Sequence, residues 1–409
     1  MKGNARACMI VEPLFIIPYS LFITYASVYM LKQGISETQI GLITSIGLVV
    51  QIFASFISGF LTDRLGRKNA LLIFDVFSWS VGTLIWAISS NFWFFLIAAV
   101  INGFQKVPHI AWTCLLVEDT APNKRPYVYT VLQFIVVVGG LFAPIGGLIV
   151  NYFTLIPAVR IMYILACISM TTQFILRHFM THETEIGIRK KQETKHMNFK
   201  HTLKTYFETV ASMKGNTTLI IIFTVYILFQ FQLVLQSTYL SVYLVDVLLF
   251  TDSTIAIFPA ISSVCMLVIL VFIIPRFHDE NNTKYMIIGF LFSIFSLSLL
   301  LMANPNSLIL VIISTILSAT GMLFSNPYLE AAVANSIDDD NRANMSSILQ
   351  VIMLIFISPA GIIGGIAYKV NPQIPFIVML GSFIINIILL LALARRATSH
   401  VSREGVIEG

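Results

Sequence analysis

Long apolar stretches separated by short polar segments are the dominant pattern along this chain. A helix needs about 20 mainly apolar residues to cross the hydrocarbon core of a bilayer, and twelve stretches reach about that length. Lipid cannot satisfy an open backbone, so each stretch is predicted to be an α-helix. The predicted spans are residues 9–31, 40–62, 70–89, 92–117, 127–153, 157–180, 217–244, 255–274, 285–303, 306–333, 346–369 and 374–394.

One long polar stretch, residues 181–216, separates six predicted spans from the other six. The pattern therefore predicts an N-terminal six-helix bundle over 1–180, a linker over 181–216, and a C-terminal bundle with a short tail over 217–409. The basic residues of the linker are expected to meet an anionic membrane surface. A solvated connector is an equally good interpretation.

The composition agrees with a membrane protein and disagrees with a soluble one. Hydrophobic side chains make up 57% of the chain and charged ones 11%, whereas soluble domains average about 45–50% and about 25%. This argues against a soluble enzyme, a nucleic-acid binder and a disordered chain. The four cysteines have no metal spacing and no phosphate-binding loop is present, so we expect no cofactor, no metal, no ATP hydrolysis and no enzymatic activity.

The distribution of basic residues predicts the orientation of the spans. With both termini in the cytoplasm, 21 of the 25 Lys and Arg residues fall on the cytoplasmic side, three fall outside and Lys106 lies within a span. Cytoplasmic loops of membrane proteins carry such an excess. The sequence therefore predicts a multi-pass protein of the cell membrane with both termini inside.

A local internal repeat relates predicted spans 5 and 11. Residues 125–136 and 342–353 share Arg, Leu, Gln and Ile at a constant offset of 217, and glycine- and proline-rich segments follow both. Parallel repeats are a known transporter design, while chance similarity between apolar helices is the alternative. The residues predicted to give kinked, closely packed helices here are Gly139, Gly140, Pro144, Gly146, Gly147, Pro359, Gly361, Gly364 and Gly365.

The loop after span 2 reads Gly59-Phe-Leu-Thr-Asp63-Arg64-Leu-Gly66-Arg67-Lys68. It resembles the signature loop of the major facilitator superfamily, Gly-x-x-x-Asp-Arg-x-Gly-Arg-Lys, at every named position and in the same place between spans 2 and 3. The resemblance implies an all-α membrane protein whose twelve transmembrane helices form two pseudo-symmetric six-helix bundles. It also implies a secondary transporter that works by alternating access.

In the family that this loop resembles, its charges latch the two halves together in the outward-open state. From the residues alone, Gly59 is expected to allow close helix packing and Gly66 a tight turn. Asp63 is expected to face a helix N-terminus across the bundle, and Arg67 to pair with an acidic residue at the end of span 4. A basic loop that only sets topology is the alternative. The latch candidates are Gly59, Asp63, Arg64, Gly66, Arg67, Lys68, Glu118 and Asp119.

Ionisable residues inside predicted spans need a partner or a task, because inserting one costs about 2.5–3.5 kcal/mol. Lys106 lies within span 4, and Gln105 and His109 share one helical face there. In the resembled family, spans 1, 4, 7 and 10 line a central cavity, which makes Lys106 a substrate-binding candidate. An ion pair with Glu12 is the alternative.

Glu12, Asp75 and His109 are the candidates for proton coupling, because burial can move a carboxylic acid or an imidazole into the neutral range. Glu12 could instead reach the membrane interface, and Asp75 could bind a neighbouring helix. Amides in spans 7 and 10 could hydrogen-bond a polar solute or join helices. The full set of substrate-binding candidates is Gln105, Lys106, His109, Gln230, Gln232, Gln236 and Asn326.

The sequence thus predicts a monomeric, proton-coupled transporter of a small solute, with the lipid bilayer and protons as its other partners and no nucleic acid. Lys106, His109 and the glutamines favour uptake of a polar or anionic solute. The alternative is export of drug-like compounds, favoured by the 32 phenylalanines and by a glycine-proline segment in span 5 that is similar to an antiporter motif. A membrane receptor that does not transport is the third hypothesis.

Overall fold

Among the residues that this computed structural model describes, twelve helical segments are long and apolar enough to cross a membrane. The structure describes residues 3–120, 125–194, 217–273, 282–335 and 342–404, and these hold no β-strand. An even number of spans brings both termini to the same end of the molecule. We call this end the terminal end and the opposite one the distal end. The helical membrane fold predicted from the sequence is confirmed.

Each predicted span overlaps one observed span, and the first differs most because it runs from Asn4 to Ile23 instead of from residue 9 to residue 31. Further helices cover Ala26–Lys32, which extends span 1 to the distal end, and Glu185–Thr194, which lies within the predicted linker. Residues 195–216 of that linker and 405–409 of the tail lie outside the described residues. The spans are Asn4–Ile23, Glu37–Leu65, Arg67–Ile88, Phe92–Val117, Val131–Phe153, Leu155–Met180, Thr218–Asp246, Thr254–Phe272, Thr283–Met302, Leu308–Glu330, Leu349–Val370 and Ile374–Arg395.

Proline residues break several of the spans, as the sequence predicted for spans 5 and 11. Span 5 is interrupted just before Pro144, and span 11 at Pro359. Span 4 breaks at Gln105, where Pro108 supplies no N–H to the carbonyl of Phe104. That carbonyl accepts a 3.0 Å bond from Val107 N instead. The missing donor tightens the helix locally and accounts for the kink.

Small residues bring the two halves close together near the distal end. A Cβ atom on Gly361 of span 11 would lie 2.5 Å from the carbonyl oxygen of Gly41 in span 2, and one on Gly365 would lie 2.7 Å from that of Glu37. Close helix packing at these glycines is therefore confirmed. Gly59 is different, since no described atom lies within 4 Å of its Cβ position. The close approach predicted there is wrong for this conformation.

The glycines of span 5 also contact neighbouring helices. A Cβ on Gly146 would lie 2.6 Å from the carbonyl oxygen of Leu21 in span 1. One on Gly147 would lie 2.6 Å from that of Ser253, at the start of span 8. Span 5 therefore packs against both halves. The remaining glycines predicted for packing, Gly139, Gly140 and Gly364, likewise leave no room for a side chain.

Candidate functional site

A cavity of about 570 Å³ lies between the two halves and extends into the second one. Spans 1 and 5 line it from the first half, and spans 7, 8, 9, 10 and 12 line it from the second. Its surface combines aliphatic and aromatic side chains with amides and hydroxyls. Every charged side chain of the described residues lies outside this lining.

Two glutamines of span 7 supply the principal amide groups of the cavity on the side of the second half. Gln236 Nε2 donates to Ser318 Oγ of span 10 at 3.3 Å. Gln232 is 1% exposed, and its Nε2 donates to the carbonyl oxygen of Met379 in span 12 at 3.4 Å. No donor among the described residues reaches Gln232 Oε1. Exchanging the two amide atoms would set Oε1 against a carbonyl oxygen, so this assignment is the favourable one.

Serine residues of spans 9 and 10 form another part of the lining. The hydroxyl of Ser296 donates to the carbonyl of Ser314 at 2.7 Å, and that of Ser314 donates back to the carbonyl of Ser296 at 2.8 Å. This reciprocal pair joins the two helices where they pack closely. Both hydroxyl protons are therefore used within the protein, and the two oxygens can act toward a ligand only as acceptors.

Of the residues predicted to bind substrate, Gln232 and Gln236 line this cavity and the other five lie outside its lining. The amide of Gln105 donates to Asn102 at 2.9 Å, that of Asn326 donates to Glu330 at 3.2 Å, and the ring of His109 stacks on Trp112 at 6.3 Å. The last two of the five are Lys106 and Gln230, which are half-buried.

The ion pair considered for Lys106 and Glu12 is not formed. No carboxylate of the described residues lies within 4.0 Å of Lys106 Nζ. Glu12 is half-buried and accepts a 3.3 Å hydrogen bond from Gln173 Nε2 of span 6 instead. The carboxylate therefore turns toward the interior of the first half and not toward span 4.

Asp75 forms a buried ion pair inside the first half. Arg177 of span 6 donates from Nη2 to Asp75 Oδ2, and the two side chains are 6% and 9% exposed. The alternative that Asp75 binds a neighbouring helix is thus confirmed. Arg177 stands in the last turn of span 6 and is one of the 21 basic residues predicted on the cytoplasmic side, so nothing in the sequence indicated that it pairs with Asp75.

The signature loop forms a charged network at the terminal end of the first half. Arg67 Nη1 lies 2.6 Å from Asp63 Oδ1, and its Nε and Nη2 each lie 3.2 Å from Glu118 Oε1. The predicted pair between Arg67 and Glu118 is confirmed. Asp63 was expected at a helix N-terminus across the bundle, but here it pairs with Arg67. Gly66 has φ +88°, which confirms the turn predicted there.

The linker and the N-terminal segment complete this network, which the sequence had not predicted. Glu183 accepts bonds from the backbone N–H groups of Arg67 and Lys68 at 3.0 and 3.2 Å, and so caps the first turn of span 3. Asp119 accepts a 2.7 Å bond from Asn4 Nδ2 and lies 3.2 Å from His182 Nε2. The only sequence feature that indicated this cap is the acidic residue Glu183, three residues after the end of span 6.

Polar contacts join the two halves at the distal end. The backbone N–H of Ile362 in span 11 donates to Ser45 Oγ of span 2 at 2.9 Å, and Lys32 Nζ lies 3.8 Å from Asp252 Oδ2. Together with the close approach of Gly41 and Gly361, these contacts hold the distal ends of the two halves together. The network around Arg67 has all its described partners within the first half and the linker.

Comparison with protein families gives one match that covers most of the chain. A family model described as Major Facilitator Superfamily matches residues 14–353. This range runs from span 1 into span 11 and contains the signature loop, the linker and most of the cavity lining.

Curated relatives match over part of their length. An uncharacterized MFS-type transporter of Bacillus subtilis (strain 168), YqjV, is 32% identical over 131 residues, which are 32% of this chain and 32% of that protein. Multidrug resistance protein MdtG of Salmonella dublin is 26% identical over 220 residues, 52% of this chain and 50% of that protein. The alignments thus span about a third to a half of these relatives.

Solved structures share the fold at low sequence identity. The nucleoside transporter NupG superposes with a TM-score of 0.67 at 14% identity, covering 96% of this chain and 99% of that one. A POT family transporter in complex with a thioalcohol-conjugated peptide superposes with a TM-score of 0.70 at 16% identity, covering 97% and 96%. At these identities the likeness concerns the arrangement of the helices.

Proposed function

This chain belongs to the major facilitator superfamily of transporters, and on that premise we propose that it moves a small solute across the membrane by alternating access. The observation that carries the proposal is the cavity that both halves line, together with the contacts that join the distal ends of the halves. Two bundles rocking about such a site expose it to one side of the membrane at a time.

The cavity provides the binding site in this proposal, and Gln232 and Gln236 are its polar contacts with the solute. Lys106, Gln105, His109, Gln230 and Asn326 lie outside the lining in this conformation. Since the two halves move relative to one another during the cycle, these residues remain candidates for contacts made in other states.

The terminal end faces the cytoplasm and the membrane is the cell membrane in this proposal, because basic residues concentrate strongly at that end. The distal contacts then close the outer side, which makes the structure inward-facing. The network of Asp63, Arg67 and Glu118 acts as the latch of the opposite state, when the terminal ends of the halves meet.

Proton coupling is assigned to the first half, with Glu12 as the proton carrier. Two carboxylates, those of Glu12 and Asp75, lie near Arg177. Arg177 forms its ion pair with Asp75 and so balances this charge. The second carboxylate, Glu12, has no cation within salt-bridge distance among the described residues and accepts a hydrogen bond from the amide of Gln173. A lone carboxylate in such surroundings costs less when protonated, so Glu12 can take up and release a proton as its access to water changes.

Export of drug-like compounds is the second candidate function. It is favoured by the mainly apolar, uncharged lining of the cavity and by the similarity to a protein named for multidrug resistance. Uptake of a polar or anionic solute is the other direction considered from the sequence, and an anionic solute would require a cation at the site. The sensitivity of a deletion strain to a panel of toxic compounds separates the two, because loss of an exporter increases sensitivity.

Reconstitution tests the transport function itself. A thermal-shift screen of the purified protein against metabolites and drugs identifies a ligand, since binding to the folded state alone raises stability. The radiolabelled ligand should then cross the membrane of vesicles containing the protein and exchange with unlabelled ligand inside. A ligand that binds but never crosses, with or without an ion gradient, would make the protein a receptor and overturn the proposal.

A further inference from the structure

The helices of the second half begin about 217 residues after the corresponding helices of the first half. The helices of span 5 begin at Arg125 and end at Phe153, and those of span 11 begin at Arg342 and end at Val370. Both pairs of positions are 217 residues apart. The same offset relates the starts of the other five pairs of spans to within four residues. Side chains at equivalent positions of the two interiors can therefore be compared directly.

Aromatic rings fill the interior of the first half between spans 1 and 3. The rings of Phe15 and Trp79 lie 4.9 Å apart at 87°, and those of Tyr19 and Trp79 lie 5.9 Å apart at 82°. All three pack against the main core. Neither span 3 nor span 6 contributes a residue to the described cavity lining, because these rings occupy the space in front of them.

Smaller polar side chains stand at the equivalent positions of the second half. Phe15, Tyr19 and Trp79 correspond to Gln232, Gln236 and Ser296 at the offset of 217. All three of the latter line the cavity, and spans 9 and 12, the counterparts of spans 3 and 6, line it as well. The exchange of three rings for two amides and a hydroxyl thus opens the interior of the second half.

The protein satisfies several of the polar groups of this space. Ser296 and Ser314 bond each other's carbonyls, and Gln236 bonds Ser318. Gln232 Oε1 is an acceptor on a buried side chain with no described donor, and a ligand can reach this atom once the amide turns toward the cavity. An unsatisfied buried acceptor costs about 1–3 kcal/mol, and a ligand that donates to it removes this cost.

We propose that the cavity binds an uncharged amphipathic molecule whose hydroxyl or N–H group donates a hydrogen bond to Gln232 Oε1. Its apolar part occupies the space between spans 9, 10 and 12. This rests on the proposed function and narrows its substrate to one chemical class. The lining offers no charged side chain to balance an ionised ligand, and an unpaired charge in an apolar site is strongly disfavoured. Gln232 Oε1 and the oxygen atoms of Ser296 and Ser314 can only accept hydrogen bonds, so they select a ligand that donates one.

Four fluorescent probes on one scaffold test the proposal with the purified full-length protein. They are naphthylhexanol, its methyl ether, naphthylhexanoate and naphthylhexylamine, and affinity is measured by titration of naphthyl fluorescence and by thermal shift. The alcohol should bind about tenfold more tightly than the ether, which equals about 1.4 kcal/mol for one hydrogen bond. The carboxylate and the ammonium should bind more weakly than the alcohol.

Three variants test which residues determine the affinities for the alcohol and the ether. Gln232→Leu should lower the affinity for the alcohol to that for the ether, and Ser296→Trp, which restores the ring of the equivalent position, should weaken both. Thr238→Val is the matched control on span 7, because Thr238 bonds Val234 and lies outside the lining. It should leave the ratio of the two affinities unchanged.

The proposal is overturned if the carboxylate or the ammonium binds the wild type as tightly as the alcohol does. An unchanged ratio of alcohol to ether affinity in Gln232→Leu, or binding of none of the probes, also overturns it. Vesicle transport is measured separately. Selective binding without transport contradicts the proposed function alone, whereas transport of the charged probes in preference to the alcohol contradicts the inference alone.

Discussion

Arg177 of span 6 and Asp75 of span 3 form an ion pair that is almost fully buried within the first half. The two charges balance each other and hold the two spans together. In our proposal this pairing gives Asp75 a structural role and leaves Glu12 as the proton carrier. The two roles predict different responses to substitution.

Replacing Asp75 with Asn should destabilise the protein strongly. The substitution leaves the guanidinium of Arg177 buried without a counter-charge, and breaking a buried pair in this way costs about 3–5 kcal/mol. Thermal unfolding of the purified protein in detergent should show a marked drop in Tm. The double variant Asp75→Leu with Arg177→Met removes both charges and should recover most of the loss. Equal stability of Asp75→Asn and the wild type would show that the pair contributes little.

Capping of span 3 by Glu183 gives a second prediction. Glu183→Ala removes the acceptor of the N–H groups of Arg67 and Lys68, and loss of a helix cap costs about 0.5–2 kcal/mol. Hydrogen exchange measured by mass spectrometry should accelerate about tenfold at the start of span 3. Glu185→Ala is the matched control, since Glu185 is exposed in the same segment. Similar exchange in both variants would argue against the cap.

The spans and the signature loop could be predicted because their signals are local. Twenty apolar residues identify a transmembrane helix wherever they occur. The ion pair between Arg67 and Glu118 could be predicted because the signature loop and the end of span 4 lie on the same side of the membrane. Gly66 requires a backbone conformation that glycine adopts easily, and its sequence context already indicates a turn.

The orientation of side chains within the spans could not be predicted in the same way. Apolar residues occur on every side of span 7, because lipid and protein interior favour the same side chains. Gln230 and Gln232 lie on nearly opposite faces of the helix, and the sequence does not indicate that the face of Gln232 lines the cavity and that of Gln230 does not. The partners of Arg177 and Glu183 also depend on contacts between distant segments, and one sequence carries no signal of these.

The close contact between the halves at Gly361 predicts that a larger side chain at this position reduces transport. Gly361→Val should hold the halves apart, because a Cβ at this position already meets the carbonyl of Gly41 at 2.5 Å. Transport into vesicles should fall at least about tenfold if the closed state loses about 1.4 kcal/mol. Cross-linking between Lys32→Cys and Asp252→Cys, introduced into the same variant, should fall in parallel.

Gly381→Val provides the control for this experiment, since no described atom lies within 4 Å of the Cβ position of Gly381. It should leave both transport and cross-linking near the wild-type level. Normal cross-linking in Gly361→Val would mean that the distal ends still close, and the glycine contact would then not be needed for the cycle.

Glu12→Gln should separate proton coupling from solute movement. The amide keeps the size of the side chain and a hydrogen bond with Gln173, but it has no proton to exchange. Counterflow of labelled solute, which needs no ion gradient, should persist. Accumulation driven by a pH gradient should disappear, whereas Glu185→Gln in the exposed linker helix should keep both activities. If Glu12→Gln, Asp75→Asn and His109→Gln all retain accumulation driven by the pH gradient, protons do not drive transport through these residues.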